Sequence, residues 1–287
     1  MTPDDLIQLR REKWRVNGNA IRTLEDARGF IESVGFCLMF PLPTPLLLPT
    51  FIGAWSGSEE KLPTQRQAFT DARVKDATQL MVRLLRERSA YEANLFDENN
   101  AFLLSASLFP YFYALVGERN PRQAPKPGPR SPYSQLACDA YSIIHRKGPI
   151  SKVKLLAELG KGISVPALDR ALWDLWSKLR ITRVDYDERE GASWDVLQRW
   201  APEAVSEGVN YSLNAALSAL LSKYLDSVIA ANQQETESLF GHFVSRSRVR
   251  EALNALLAAR ELSFVPVGHQ SLIQVTPVPP ARKSRTP

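Results

Sequence analysis

The chain has 287 residues, 44% of them hydrophobic and 23% charged, with a net charge of +5. That composition gives a globular protein with material for two or three cores and excludes a chain that stays unfolded for want of apolar residues. The charge is uneven, at −1 over residues 1–117, +3 over 118–132, zero over 133–209 and +3 over 210–287. The surplus therefore lies in one connecting stretch and at the C-terminal end, which suits a nucleic-acid partner without demanding one. Cys37 and Cys138 lie far apart in apolar surroundings, with no CxxC and no signal peptide, and read as buried free thiols in a reducing cytoplasm.

In chain order, residues 4–16 read as a helix with acids first and bases last, as the helix dipole favours. Thr23 and Asp26 have capping-box spacing and open a second helix that ends near Gly35. Residues 36–55 carry no charge and are numerous enough to cross a bilayer. Pro41, Pro43, Pro45 and Pro49 would break such a helix, so a buried, extended crossover is expected and no membrane partner. A polar loop to Pro63 precedes a strong helix over 72–88, whose inner stripe is Ala77, Leu80, Met81, Leu84 and Leu85. A hairpin is expected next, from 91–96 through a DENN turn at 97–100 to 101–105, and then an aromatic core segment at 108–116. Residues 119–132 hold five prolines, several bases and no acid, and read as an extended, polyproline-like spacer.

Helices are expected at 134–146 and 151–159, followed by the most legible stretch, 164–197. There Ser164 is an N-cap with Pro166 in the first turn, and Leu168, Ala171, Leu172, Leu175, Trp176 and Leu179 form one apolar stripe. After Arg180 the period changes from 3.6 to 2: Ile181, Arg183 and Asp185 alternate with Thr182, Val184 and Tyr186 before a turn ending at Gly191. A helix that feeds directly into a hairpin is the second half of a winged helix-turn-helix. Residues 201–208 link onward to helices at 210–231, 235–242 and 245–260, a hairpin of 262–267 and 272–276, and a disordered tail. A shift of 81 residues lays 164–184 on 245–265 without a gap, with Ser164 on Ser245, Leu172 on Leu253, Ile181 on Leu262 and Val184 on Val265. Agreement that continues through the change of period marks two copies of one unit.

The expected fold class is α+β, mostly helical, with three tandem winged helix-turn-helix modules. The boundaries are an N-terminal winged-helix-like domain at 1–117, a Pro/Arg-rich linker at 118–132, a central winged helix at 133–208, a C-terminal winged helix at 209–278 and a tail at 279–287. Double-stranded DNA is the expected partner. The first turns of the C-terminal third helix offer Arg246, Ser247, Arg248, Arg250 and Asn254 to a groove, with His269 at the wing tip. Backbone phosphates are expected at Arg119, Arg122, Lys126 and Arg130 in the linker, and at Lys152, Lys154, Arg180 and Arg183 in the central module. The central third helix is a poorer reader, because it exposes Asp169 and Asp174 beside Arg170, Trp173 and Lys178. Its tryptophans Trp173, Trp194 and Trp200 suit a homodimer or a protein partner instead, with Trp176 in the core.

The stretches EDARGFIESVGFCLMFPLP (25–43) and VRLLRERSAYEANLFDENNAFLLSASLFPYF (82–112), with three helix-plus-wing units in one chain, carry a likeness. The chain resembles a bacterial family of tandem winged-helix DNA glycosylases that unhook alkylated purines and interstrand crosslinks. The first stretch is similar to that family's opening helix and its Gly-hydrophobic-hydrophobic-Gln segment. On this resemblance the catalytic glutamine and its acidic or amide partner fall on Leu38 and Phe40. Neither side chain can position or deprotonate water, so the resemblance implies a non-catalytic relative with no catalytic residue assigned. An active DNA glycosylase and a protein-interaction scaffold are the rival readings.

No GxGxxG, P-loop, GxSxG or HExxH motif occurs, and His145, His242 and His269 lack an acid or cysteine at ligand spacing, so no cofactor or metal is expected. The pairs Asp185/Asp187 and Glu188/Glu190 read as solvated wing-turn carboxylates. Glu92, the one acid set among large apolar residues, reads either as a buried functional carboxylate or as a structural hydrogen-bonding group on nearby backbone.

Overall fold

The computed structural model describes residues 1–44, 46–68, 70–94 and 101–277, with the side chain of Arg73 left aside. Helix α1 (Pro3–Lys13) opens in a capping box between Thr2 and Asp5. It is fastened to a distant part of the chain: Arg10 donates to the carbonyls of Val228 and Ala230 at 2.8 and 2.5 Å, and Trp14 Nε1 donates to that of Ser227 at 2.8 Å.

Three segments then repeat one order of elements. The first runs α2 (Leu24–Val34), β1 (Phe36–Leu38), α3 (Phe51–Ser56), α4 (Ala72–Arg86), β2 (Ala90–Asn94) and β3 (Ala101–Ser105), and its strands lie in the order β1-β3-β2. Helix α5 (Phe109–Val116) follows. The second segment runs α6 (Gln135–Lys147), β4 (Ile150–Ser151), α7 (Lys152–Leu159), α8 (Val165–Trp176), β5 (Ile181–Asp187) and β6 (Gly191–Val196), with strand order β4-β6-β5. Two helices, α9 (Leu197–Trp200) and α10 (Pro202–Asn210), lead to the third segment: α11 (Leu213–Val228), α12 (Gln233–Phe240), α13 (Arg246–Ala258), β7 (Leu262–Val267) and β8 (Gln270–Val275). Its first strand is reduced to one antiparallel bridge from Ala231 to Ile273 in β8. In every segment the residues after the first helix therefore pair with the last strand. The chain is α+β, about half helical, with small antiparallel sheets.

Local chemistry accounts for most of these boundaries. Side-chain oxygens of Thr23, Ser134, Ser151, Ser164 and Ser212 each accept a backbone N–H in the first turn of the following helix. Gly35 ends α2 at φ +79°, where a Cβ would fall 2.5 Å from Lys223 Cγ on α11, so this turn both needs the left-handed region and lets the two helices approach.

Several sequence expectations need revision. Only 36–38 of the charge-free run is a strand; past Pro49, Thr50 caps the short helix α3 by accepting the Gly53 N–H at 3.0 Å. The aromatic segment is core as expected, and takes the form of a helix buried through Phe109, Phe112 and Tyr113, with Pro110 in its first turn where no N–H is needed. The expected link at 201–208 is helix α10, opened by Pro202. The DENN turn and the tail from 279 lie outside the described residues. Among the described residues no helix is long and apolar enough to cross a membrane.

The apolar residues form two main cores. One joins the first and third segments, where Phe36 stacks on Tyr224 at 6.1 Å and meets Phe240 edge-on at 6.4 Å. The other lies within the second segment around Leu168, Leu175, Trp176, Ile181 and Trp194. A small third cluster seats Leu6 of α1 against Val267 and Leu272 of the last hairpin.

Candidate nucleic-acid interface

Helix α13 divides sharply by face. Val249, Leu253 and Leu256 are buried, while Arg246, Ser247, Arg248, Arg250 and Asn254 are exposed together. Among the described residues neither Arg246 nor Arg248 forms an ion pair. Ser245 occupies the N-cap but its side chain makes no capping bond; its hydroxyl lies 3.1 Å from that of Ser247. Among the described residues the first-turn N–H groups of α13 have no side-chain partner, and they stand beside two guanidinium groups that form no close ion pair. Arg250 is committed elsewhere: its Nε and Nη2 donate to the two oxygens of Glu237 at 2.9 and 2.7 Å. That fork, opposed by burial and helped by a bond from Gln233, holds the Glu237 carboxyl down at about 2. Arg250 thus fixes α13 against α12 rather than standing free.

His269 is exposed at the tip of the last hairpin, next to Gly268 at φ +58°. The tip leans on α1, since a Cβ on Gly268 would meet Pro3 Cγ at 3.3 Å.

The central cations are mostly engaged. Lys152 pairs with Asp169 at 2.6 Å and Lys154 with Glu190 at 2.8 Å. Arg170 pairs with Asp174 at 3.3 Å along α8. Arg183, expected at backbone phosphate, is instead an interior residue. Its Nη1 donates to Glu92 Oε1 at 2.7 Å and to the Tyr186 hydroxyl at 2.9 Å, and its guanidinium lies 4.2 and 4.9 Å from the ring centres of Trp176 and Trp194. Tyr186 in turn donates to both Glu92 oxygens, at 3.1 Å each. Glu92 is therefore held by side chains of the second segment, not by nearby backbone, and it is sealed from solvent. Arg180 is likewise 2% exposed, paired with Glu118 at 3.1 Å and bound to the carbonyls of Asn120 and Gln123. Neither arginine can reach a phosphate. Trp194 is buried with Trp176, which removes it from an interface, whereas Trp173 and Trp200 are half-buried, the latter with Arg88 over its ring at 4.6 Å.

The stretch 118–132 is anchored at its start rather than free. Besides the grip of Arg180, Arg119 Nη1 donates to the carbonyls of Val209 and Tyr211 at 2.8 and 3.0 Å. Arg122, Lys126 and Arg130 are exposed, and Arg122 lines a cleft of about 630 Å³ against α10.

Leu38 and Phe40 are 2% and 6% exposed, and Leu38 pairs with Phe102 across the sheet. On the same strand as Leu38 the Cys37 thiol is fully enclosed, and burial pushes its pKa well up. Among the described residues no group of three or more His, Cys, Asp or Glu is placed to hold a metal ion.

One surface was missed in the sequence. Lys75, Gln79, Arg83 and Arg86 fall at helical spacing on the exposed side of α4 and line a groove of about 560 Å³. The spacing itself was the available signal.

A model of the AlkZ-like DNA glycosylases (DNA glycosylase AlkZ-like) matches residues 70–284. The chain belongs to the AlkZ-like DNA glycosylase family. Among solved structures it is similar to Streptomyces sahachiroi DNA glycosylase AlkZ, with a TM-score of 0.60 and 11% identity over 96% of this chain and 70% of that one. At that identity the likeness to AlkZ is one of fold. No curated protein matches the sequence. Membership of the AlkZ-like family ties the chain to DNA and its repair.

Proposed function

We propose that this AlkZ-like protein binds duplex DNA through three winged helix-turn-helix modules, at 1–117, 133–208 and 209–278, and that it does so without releasing bases. The modular reading is supported by the threefold order of helix, short strand, two helices and hairpin, in which the short strand always pairs with the last one. The observation that carries the reading is the open face of α13, where Arg246, Ser247, Arg248 and Asn254 surround an uncapped helix N-terminus. Arg122, Lys126 and Arg130 supply backbone contacts, and Lys152, Lys154 and His269 are secondary positions. The absence of base release is supported by Leu38 and Phe40, apolar and enclosed at the positions that the family resemblance makes catalytic.

The test is binding to a labelled random duplex by fluorescence anisotropy across a range of salt. Arg246→Ala with Arg248→Ala is expected to weaken binding and to reduce the slope of log affinity on log salt by about 2, close to 0.9 per lost phosphate contact. Arg250 is left intact because its loss would unseat α13. Affinity and slope equal to wild type would reject the α13 surface. A concentration-dependent dimer with no duplex binding at low salt would favour a scaffold instead. Release of free base from an alkylated duplex, above the rate without protein, would overturn the non-catalytic reading.

A further inference from the structure

We propose that the exposed face of α4 is a second contact surface for the duplex backbone, one that the acidic turn of the central hairpin occupies in place of phosphate. The inference rests on the DNA-binding reading above. It begins with topology: α4 is the third helix of its segment, immediately before a hairpin, as α13 is of the last. The two helices differ in what stands over their outer faces. That of α13 is open, whereas the stripe of Lys75, Gln79, Arg83 and Arg86 on α4 forms one wall of the 560 Å³ groove. The opposite wall is the turn that joins β5 to β6, with Asp187, Glu188 and Arg189.

Two acids of the hairpin pair with the cations of the stripe, Glu188 from the turn and Asp185 from β5. Lys75 Nζ lies 2.5 Å from Glu188, and Arg86 lies 2.6 Å from Asp185 through Nη2 and 2.7 Å through Nε. Among the described residues Arg83 pairs with Glu87 on its own helix, at 3.9 Å. These side chains are 46–55% exposed on the basic side, so the pairs are screened by water and worth little, and an incoming phosphate exchanges for a carboxylate at small cost. The hairpin itself is held differently at its two ends. Its base is locked to β2 by the buried contacts of Arg183 and Tyr186 with Glu92, beside a register shift between Arg183 and Asp185. Beyond Tyr186, its turn meets α4 at the surface through the Lys75–Glu188 pair. The fold thus keeps a set of carboxylates poised over a cationic helix face, and the long lysine and arginine side chains can turn from them to a backbone lying in the groove.

The experiment compares full-length variants in the same anisotropy assay. Asp185→Asn with Glu188→Gln frees Lys75 and Arg86 and is expected to tighten binding about tenfold at low salt and to steepen the salt slope by about 2. Glu59→Gln with Glu60→Gln makes the same change in net charge at exposed acids that do not line the groove, and is expected to leave the slope at its wild-type value. Adding Lys75→Ala and Arg86→Ala to the neutralised hairpin should abolish the gain. Glu188→Gln alone touches one exposed pair, cannot endanger the fold, and should give about half the change in slope. Equal affinity and slope in the turn and Glu59/Glu60 variants would overturn the proposal. If Arg246→Ala with Arg248→Ala still weakens binding in that case, only the α4 surface falls. No binding by any variant at low salt would reject both readings.

Discussion

A carboxylate as enclosed as Glu92 persists only when the charge removed from water is met by groups placed to replace its hydration. Arg183 and Tyr186 do this from one strand, while Trp176 and Trp194 flank the guanidinium. Burial works against the charge on Arg183, but Tyr186 and Glu92 beside it keep it protonated above its ordinary range. Removing one partner is therefore far more costly than removing both. Arg183→Met is expected to lower stability by about 3–5 kcal/mol in urea unfolding, and adding Glu92→Leu should recover most of that loss. A single variant as stable as wild type would mean that Glu92 is satisfied by other means. The inward position of Arg183 was not legible: in the sequence it reads as a backbone-phosphate contact, and strand alternation does not separate the faces here because Ile181, Thr182 and Val184 are all buried. Nor was its partner, because Glu92 lies ninety-one positions away on β2 and no local pattern joins them.

At the scale of elements, the fork between Arg250 and Glu237 decides how α13 is presented. Glu237 titrates at about 2 in the folded chain against an ordinary 4.5. Its contribution to stability is thus fully present above about pH 4.5 and is lost as the pH falls from there towards 2. Arg250→Ala is expected to destabilise the protein at neutral pH but much less near pH 2, so the urea midpoints of variant and wild type should converge on acidification. Parallel midpoints would show that the pair is not the source. The two copies of the helix-plus-hairpin unit also differ at their caps. Ser164 accepts the Ala167 N–H at 3.3 Å, whereas Ser245 makes no such bond. Ser164→Ala should cost about 1 kcal/mol and Ser245→Ala only a few tenths, read by thermal melting. The sequence repeat was visible because both copies bury the same positions, and α8 and α13 begin 81 residues apart, as do β5 and β7. The short helices α3, α9 and α10 were less visible. Four to nine residues give too few turns for a periodic stripe, and Pro202, which opens α10, reads in the sequence as a loop signal as readily as a helix start.

At the scale of the whole molecule, the order of modules along the chain differs from the order of its cores. The first segment is completed by the third: Phe36 packs on Tyr224 and Phe240, and Phe102 and Phe112 meet Phe243 at 6.4 and 5.2 Å. Such pairing across nearly two hundred residues leaves no trace in local periodicity, which is why the sequence suggested three separate domains. The second segment keeps its own core and carries its linker with it, since Arg180 binds Glu118, Asn120 and Gln123. Fragments should therefore behave unequally. A piece spanning 118–200 retains nearly all of the second core and is expected to unfold cooperatively in urea. A piece spanning 1–117 loses the apolar cover supplied by Leu220, Leu221, Tyr224 and Phe240, and is expected to lack a cooperative transition. Thiol labelling gives an independent reading. In the intact chain Cys37 is enclosed and its thiol held protonated by burial, so it should resist labelling until global unfolding. In the 1–117 fragment it should react rapidly without denaturant. A fragment that melts cooperatively and protects Cys37 would show instead that the first segment closes its own core, with the third merely resting against it.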